Sequence, residues 1–289
     1  MPRRVLVPVD GSKRSLQALE YSCVLFPDAQ HSIVYVINPS RDWQEGPWLT
    51  DKWETQAEKT ATTILEKAVS RIDRYGVDVE TTVEWGEPYR RLLELIDQTE
   101  PDHVVLGSTG ESSTGRFFLG GVSETVLERS SVPVTAVRFE EDLSAAPESP
   151  ERVLVPVDGS ASAEAGLAFA LERFSDAEIT ALTVGELDID VDHDELSGTY
   201  LESAVQQASE EADEILERAR AQADDRDVEI RTETVFGKPS ARIVEYAKAE
   251  GIEHVVVGHG SRSRTARLLL GSVAETVAKR APCPVTVFR

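Results

Sequence analysis

Cysteine and long apolar runs are scarce in this sequence, and each shortage limits what the chain can be. Two cysteines, Cys23 and Cys283, occur among 289 residues, and neither belongs to a CxxC motif. This usage predicts two buried thiols in a cytoplasmic protein. No apolar run approaches the roughly 18 residues of a membrane helix, so we expect no membrane partner. The residues after Met1 lack the apolar core of a secretory signal, so we expect none.

Positive charge is also short. The chain carries 52 acidic and 30 basic residues, for a net charge of −22, which argues against non-specific binding to nucleic acid. The negative net charge is spread evenly along the chain, with −10 over residues 1–148 and −12 over residues 149–289. This even distribution excludes an acidic tail. With 23 arginines against 7 lysines, the chain is either an ordinary acidic protein or one adapted to high salt. We favour the second interpretation, a halophilic origin, because salt screens the repulsion.

An internal repeat organises the chain. Residues 4–12 recur letter for letter 148 positions later, and residues 103–107 have a close counterpart 151 positions later. Copies of about 140 residues have the size of domains and are too long for solenoid repeats. We therefore predict two domains of one fold, over residues 1–139 and 152–289, joined by a polar, proline-containing linker at 140–151.

Each copy alternates short apolar runs with helical periodicity. In the first copy, strands are predicted at Val5–Val9, Ile33–Ile37, Val77–Val83, Val104–Leu106 and Val134–Phe139. Helices are predicted to begin at Ser12, near Asp51, at Pro88 and at Gly121, the second ending near Tyr75 before Gly76. The spacing turns two sets of residues inward: Leu16, Leu19, Cys23 and Phe26, and Leu92, Leu93 and Ile96. This alternation predicts an α/β fold with two tandem doubly wound parallel sheets, each covered by helices on both faces.

In such a sheet, ligands bind beyond the carboxyl ends of the strands, where the strand order reverses. Asp10 and Asp158 follow the first strand of each copy and stand at that position. A carboxylate there can accept hydrogen bonds from ribose hydroxyls or hold a metal-bound water. The alternative is that the aspartate caps the next helix, a role that Ser12 can equally take.

Glycine-rich segments after the fourth strand are a second candidate. In copy one, the segment Gly107-Ser-Thr-Gly110 is followed after nine residues by Gly120-Gly121. In copy two, the segment Gly258-His-Gly-Ser261 is followed after nine residues by Gly271-Ser272. Glycines let backbone amides approach an oxyanion, and a helix N-terminus adds unpaired N–H groups. Arg262, Arg264 and Arg267 add positive charge in copy two, which favours an anionic ligand. Ordinary turn glycines and solvated arginines are the alternative.

These motifs resemble those of the universal stress protein family, and the resemblance covers nearly the whole chain twice. The family's nucleotide-binding members carry G-2x-G-9x-G-(S/T) after the fourth strand and Pro-x-Asp at the end of the first. The latter is matched by Pro8-Val9-Asp10 and Pro156-Val157-Asp158. The resemblance implies a five-stranded sheet ordered 3-2-1-4-5 in each domain. It also implies ATP or a related adenine nucleotide as the ligand, with Mg²⁺ or Mn²⁺ as the accompanying ion.

The resemblance further implies which residues meet the nucleotide. The backbone near Val36 and Val184 would meet the adenine, and Leu106 and Val257 would flank the sugar. The remaining site residues of copy one are Pro8, Asp10, Gly107, Gly110, Arg116, Gly120, Gly121 and Val122. Those of copy two are Pro156, Asp158, Gly258, Ser261, Arg262, Gly271, Ser272 and Val273. Each copy departs from the pattern once: Gly121 replaces the hydroxyl residue, and Ser261 replaces the second glycine, with Gly260 one place early.

No catalytic set is recognisable in the sequence. It has neither a Walker GxxxxGK[ST] run nor a G-x-S-x-G elbow, so we expect slow ATP hydrolysis at most. His103 and His254 begin the fourth strand of their copies, far from the site, and are interpreted as structural. His259 lies within the glycine segment, where contact with the ligand and no contact are equally open. The tryptophans are expected to cover a sheet edge or a domain contact, with a hydrophobic partner site as the alternative: Trp43, Trp48, Trp53 and Trp85.

Two classes of function follow. The first is an ATP-binding protein with a regulatory or stress-protective role; the second is a structural or partner-binding member that has lost the nucleotide. The retained glycines and aspartates favour the first. Members of the family commonly dimerise through the fifth strand, so the resemblance implies that Val134–Phe139 and Val285–Phe288 face each other as an internal pseudo-dimer. Exposed apolar edges would otherwise invite uncontrolled pairing. A further homodimer is compatible with this arrangement.

Molar salt should stabilise the protein. We expect the melting temperature to rise between dilute buffer and about 1 M KCl, where the Debye length falls to about 3 Å and repulsion is screened. Thermal melting followed by circular dichroism along a KCl series measures this effect. A melting temperature that stays flat or falls would contradict the high-salt interpretation.

Overall fold

Buried parallel strands form the centre of both halves of the chain. The computed structural model describes residues 2–39, 51–108, 120–138, 146–185, 198–260 and 270–289. By its internal contacts the chain divides into two compact units, Met1–Ser149 and Pro150–Arg289. Within the described ranges, no helix is both long and apolar enough to span a bilayer.

The first unit alternates strand and helix as the sequence predicts. Its strands β1 to β5 are Arg4–Pro8, Gln30–Ile37, Asp78–Trp85, His103–Gly107 and Val134–Val137. Its helices α1 to α4 are Lys13–Leu25, Asp51–Ile72, Pro88–Thr99 and Gly121–Arg129, and a 3₁₀ turn at Asp73–Tyr75 follows α2. The strands pair in parallel in the order β3-β2-β1-β4-β5.

The second unit repeats this arrangement. Its strands β6 to β10 are Arg152–Pro156, Glu178–Gly185, Ile230–Phe236, His254–Gly258 and Val285–Phe288. Its helices α5 to α8 are Ala161–Arg173, Gly198–Asp224, Pro239–Ala249 and Ser272–Arg280. The parallel order β8-β7-β6-β9-β10 mirrors the first unit. The predicted doubly wound fold and its strand order are thereby confirmed.

Short sequence signals fix the ends of the helices. Ser12 and Ser160 are the N-caps of α1 and α5, and each side-chain oxygen accepts a hydrogen bond of 3.2 Å from the backbone N–H three residues later. Gly76, at φ 64°, closes the turn after α2 as predicted. Pro88 is the first residue of α3. Phe139, at the end of the predicted fifth strand, lies outside the described residues.

Helix α3 is turned slightly from its predicted orientation. Leu92 and Ile96 are each 1 % exposed, as expected, whereas Leu93 is only half-buried. Leu95 takes the inward place, because positions i, i+3 and i+4 lie on one face of a helix. In α1 and its C-cap, by contrast, all the predicted inward residues are buried: Leu16, Leu19, Cys23 and Phe26.

A buried ion pair joins α1 to the end of α2 in the first unit. The carboxylate of Glu20 is fully buried. One of its oxygens accepts a hydrogen bond of 2.5 Å from a terminal nitrogen of Arg74, and the other lies 2.9 Å from Arg71 Nε as an ion pair. Removing one partner of such a pair leaves a buried charge uncompensated. The second unit has Ala168 in the place of Glu20, and there Gln222, in the place of Arg71, donates instead to the carbonyl oxygen of Glu164 at 2.9 Å.

Two of the tryptophans lie where the sequence predicts cover for a sheet edge. Trp85 belongs to β3, the outermost strand of the first sheet. Its ring meets that of Trp53 from α2, with ring centroids 5.8 Å apart. Trp85 keeps 38 % of its surface exposed. Trp43 and Trp48 lie outside the described residues.

Buried histidines hold the start of the fourth strand to the fifth strand in both units. His103 Nε2 lies 2.7 Å from Thr135 Oγ1, and His254 Nε2 lies 2.9 Å from Thr286 Oγ1. The ring of Phe26 packs on His103 with centroids 4.8 Å apart. These contacts confirm the structural role predicted for both histidines. Both cysteines are buried free thiols as well, and burial raises the pKa of Cys23 to about 12.

Burial of His103 should make the first unit sensitive to mild acid. Burial lowers the pKa of His103 to about 3, although the charge of Asp102 opposes the shift. Because the folded pKa lies below the unfolded value of about 6.5, this contribution to stability is complete above pH 6.5. It is lost at about 1.4 kcal/mol per pH unit as the pH falls toward 3. In His103→Gln, the stability deficit relative to wild type should therefore shrink between pH 7 and pH 5.

Urea unfolding at four pH values measures that difference, and comparison with wild type cancels the effect of the overall charge. Thr135→Val is the matched control, because it removes the hydrogen-bond partner but keeps the titrating ring. It should retain the wild-type pH dependence. The interpretation would be wrong if His103→Gln and wild type lost stability in parallel over this range.

Candidate functional site

A tight turn places an aspartate at the carboxyl end of the first strand in each unit. Asp10 Oδ1 accepts the backbone N–H of Ser12 at 2.9 Å, and Asp158 Oδ1 accepts that of Ser160 at 3.0 Å. The residue between them is a glycine in the left-handed region, with φ of 79° at Gly11 and 74° at Gly159. Because the serines are the N-caps, the alternative that the aspartates cap the helices is wrong. Both carboxylates remain exposed at the edge of the sheet.

The hydrogen bonds of this turn favour the charged form of Asp10. Partial burial by itself would raise the pKa of Asp10, but hydrogen bonds from Ser12 and Ser15 side chains and from the Ser12 backbone outweigh it and lower the pKa. The backbone N–H of Asp10 also donates to Ser15 Oγ at 3.2 Å. The turn therefore presents a fixed negative charge at neutral pH, suited to accept hydrogen bonds from a ligand.

The first glycine of each glycine-rich segment is required by helix packing. A Cβ on Gly107 would lie 2.9 Å from the carbonyl oxygen of Arg14, and one on Gly258 would lie 2.7 Å from the backbone nitrogen of Ala163. Neither glycine has a φ in the left-handed region. The sequence argument assigned these glycines to close approach by a ligand. In the structure, close contact with the first turn of α1 or α5 is a physical reason why each of these positions must be glycine.

Helix N-termini open onto the same edge of each sheet. The N-caps of α4 and α8 are Gly120 and Gly271, at φ −63° and −66°, and neither offers a side chain to the first-turn amides. Amides in the first turn of a helix have no intrahelical partner and attract anions. In the first unit, Ser123 Oγ donates to the carbonyl oxygen of Gly107 at 2.8 Å, which ties α4 to the end of β4.

A cavity of about 520 Å³ lies at this edge in the second unit. Eight of the residues predicted for copy two line it: Pro156, Asp158, Val184, Val257, Gly258, Gly271, Ser272 and Val273. Gly260, at φ 69°, also lines it and is the left-handed residue of this loop within the described part. Ser261 and Arg262 lie outside the described residues. His259 is half-buried and is not among the lining residues.

Helices α6 and α7 supply a wall that the sequence motifs did not indicate. From α6, the lining residues Ala208, Glu211, Ala212 and Ile215 recur at helical spacing. From α7, they are Pro239 and Ile243. The 3–4 periodicity of α6 is the signal that marks this stripe as an inward face. Periodicity alone does not distinguish a face that packs on the sheet from one that lines a cavity.

In the first unit, the corresponding residues lie at the carboxyl ends of the strands and the start of α4. Pro8 ends β1, Val36 lies near the end of β2, and Leu106 and Gly107 end β4. Gly120, Gly121 and Val122 form the start of α4, and Gly121 is exposed. Gly110 and Arg116 lie outside the described residues.

The tandem fold recurs in known proteins. A family model described as "Universal stress protein family" matches residues 1–138 and 150–289. The chain belongs to the universal stress protein family. A universal stress protein of Mycobacterium tuberculosis is 30 % identical over 297 residues, covering 99 % of this chain and 96 % of the relative. One from Mycolicibacterium smegmatis is 29 % identical over 298 residues, with the same coverage.

A solved structure shows the same fold over this length. The crystal structure of a universal stress protein from Archaeoglobus fulgidus has a TM-score of 0.67 at 22 % identity, and the match covers 99 % of this chain and 96 % of that chain. At this identity the likeness concerns the fold, and the sequence relatives carry the family assignment.

If helix packing requires Gly107 and Gly258 in this universal stress protein, a methyl group there should be costly. We expect Gly107→Ala and Gly258→Ala each to lower the free energy of unfolding by about 2–4 kcal/mol, because the new Cβ meets helix backbone that cannot move aside. Gly121→Ala is the matched control, since a Cβ there meets nothing within 4 Å and alanine favours a helix. Denaturant unfolding without any ligand measures all three variants. Equal stability of Gly107→Ala and Gly121→Ala would refute the packing requirement.

Proposed function

We propose that each unit binds an adenine nucleotide, with ATP as the leading candidate, and that the bound nucleotide sets the state in which the protein serves a regulatory or stress-protective role. The observation that carries the proposal is the cavity of the second unit. Its volume, about 520 Å³, falls within the roughly 300–1,000 Å³ typical of ligand sites. It also opens at the carboxyl end of the sheet, between β6 and β9, where strand order reverses.

The lining residues divide into three groups suited to the three parts of a nucleotide. The end of β7 near Val184 offers backbone groups and apolar surface to a base. Asp158 offers a carboxylate to ribose hydroxyls. The loop at Gly258 and Gly260 and the uncapped start of α8 offer backbone N–H groups to phosphates.

A divalent cation is compatible with this arrangement and would arrive with the nucleotide. Mg²⁺ commonly binds through one or two carboxylates together with phosphates of the ligand. The cation would neutralise phosphate charge beside an acidic surface. The proposal assigns binding to the lining residues and leaves hydrolysis at most a slow side reaction.

The first test identifies the nucleotide itself. Protein purified gently at high salt should release an adenine nucleotide on denaturation, at up to two molecules per chain, detectable by mass spectrometry. Asp10→Ala and Asp158→Ala should each reduce that amount. Release of no nucleotide, together with no binding of added ATP in calorimetry, would favour the alternative of a structural or partner-binding member.

The two sites should differ in their use of the phosphate chain. Residues 261–269 contain Arg262, Arg264 and Arg267 and no acid, and Ser272 begins α8. The first copy has only Arg116 in its spacer and Gly121 in the place of the hydroxyl. A hydrogen bond to a charged group contributes roughly 1.5–3 kcal/mol. We therefore expect the loss of affinity from ATP to ADP to AMP to be steeper in the second unit.

Calorimetry on the full chain measures this difference. The Asp10→Ala variant reports the second unit, and Asp158→Ala reports the first. Equal losses from ATP to AMP in the two variants would contradict the asymmetry while leaving nucleotide binding intact.

A further inference from the structure

The α6 wall of the second cavity carries one charged residue. Ala208, Ala212 and Ile215 present small or apolar surface, whereas Glu211 is the charged residue among the described lining residues of that helix. The side chain is exposed. Gln207 Nε2 donates to Glu211 Oε1 at 3.2 Å, which holds the carboxylate from the preceding turn. A carboxylate is a hydrogen-bond acceptor only, so it selects for donors on whatever fills the cavity.

The sheet order places this wall at the end of the cavity away from the phosphate-binding groups. Helix α6 packs on β7 and β8, whereas α8 packs on β10 and α7. In the order β8-β7-β6-β9-β10, β7 and β10 lie on opposite sides of β6. Glu211 therefore lies on the side of the β7 end, where the proposed function sets the base. A carboxylate at the opposite end of the cavity, beside α8, would lie close to the phosphates and repel their negative charge.

The same wall in the first unit differs at this one position. Its residues Ala57, Ala61 and Ile64 match Ala208, Ala212 and Ile215 at an offset of 151, but Thr60 stands in the place of Glu211. The Thr60 hydroxyl donates to the carbonyl oxygen of Gln56 at 3.0 Å. The first unit thus has no charged acceptor at this position.

We infer that Glu211 is a specificity residue that makes the second unit prefer adenine, by accepting a hydrogen bond from the exocyclic amine of the base. This inference rests on the proposed function. A base that carries a carbonyl oxygen in the place of that amine, as hypoxanthine does, would set an acceptor against the carboxylate. The second unit should therefore discriminate AMP from IMP, and the first unit should discriminate less.

The test is calorimetry with AMP, IMP and GMP on the full chain carrying Asp10→Ala, so that the second unit reports alone. The three ligands carry the same phosphate, so its contribution cancels in their ratio. We expect AMP to bind about fivefold to tenfold more tightly than IMP, in line with one hydrogen bond. Glu211→Gln should bring the ratio close to one, because an amide can donate to the carbonyl oxygen.

Glu210→Gln is the matched control. It removes the same charge one residue away, Glu210 is exposed and outside the cavity lining, and Gln206 donates to it at 2.8 Å in the same manner. It should leave the AMP to IMP ratio unchanged. In the Asp158→Ala background, which reports the first unit, Thr60→Glu should raise that ratio.

The outcomes separate this inference from the proposed function. If AMP binds but Glu211→Gln leaves the ratio unchanged, or if the substitution weakens GMP and not AMP, Glu211 does not read adenine and nucleotide binding stands. If no nucleotide binds to either variant or to wild type, both the inference and the proposed function are overturned.

Discussion

In both units, the end of the fourth strand packs directly against the backbone of the first turn of the first helix, with no side chain between them. This contact sets the geometry of each unit. At Gly107 and Gly258 there is no room for a side chain, because the helix backbone lies within 3 Å of where a Cβ would be. The helix that makes this contact begins directly after the Asp-Gly-Ser turn. The contact therefore brings the aspartate and the glycine-rich loop to the same point of the sheet, where the strand order reverses.

Much of this fold follows from the sequence because its signals are local and repeated. Buried strands appear as apolar runs, Ser12 and Ser160 as caps, and Pro88 as a first helical residue, and the structure has each of them there. The rotation of a helix about its axis was harder to predict from the sequence. Leu93 and Leu95 both fit an apolar face, and only packing on the sheet determines that Leu95 is inward. Glu20 gives no signal at all, since its partners Arg71 and Arg74 lie more than 50 positions away.

The candidate site was predictable where the motif concerns backbone and less so where it concerns a wall. Eight predicted residues line the cavity of the second unit, and all come from strand ends, the turn after β6 or a helix start. The stripe from Ala208 to Ile215 escaped the motif because α6 reaches the cavity through its middle, and periodicity identifies an inward face without naming what that face meets. The glycines carry a requirement that the motif did not indicate: packing against a helix leaves no room for a side chain at Gly107 and Gly258, whatever ligand their backbone meets.

Comparison of the two units separates residues that the fold requires from residues that are free to specialise. The turn Asp-Gly-Ser and the first loop glycine are the same in both copies, because left-handed backbone or close contact leaves no alternative. Positions that face open space differ: Thr60 against Glu211, and Gly121 against Ser272. Since a duplicated domain keeps what its backbone demands, these two differences fall where a side chain can alter binding without altering the fold. The two units are therefore equal in architecture and unequal in the chemistry they offer at the carboxyl edge of the sheet.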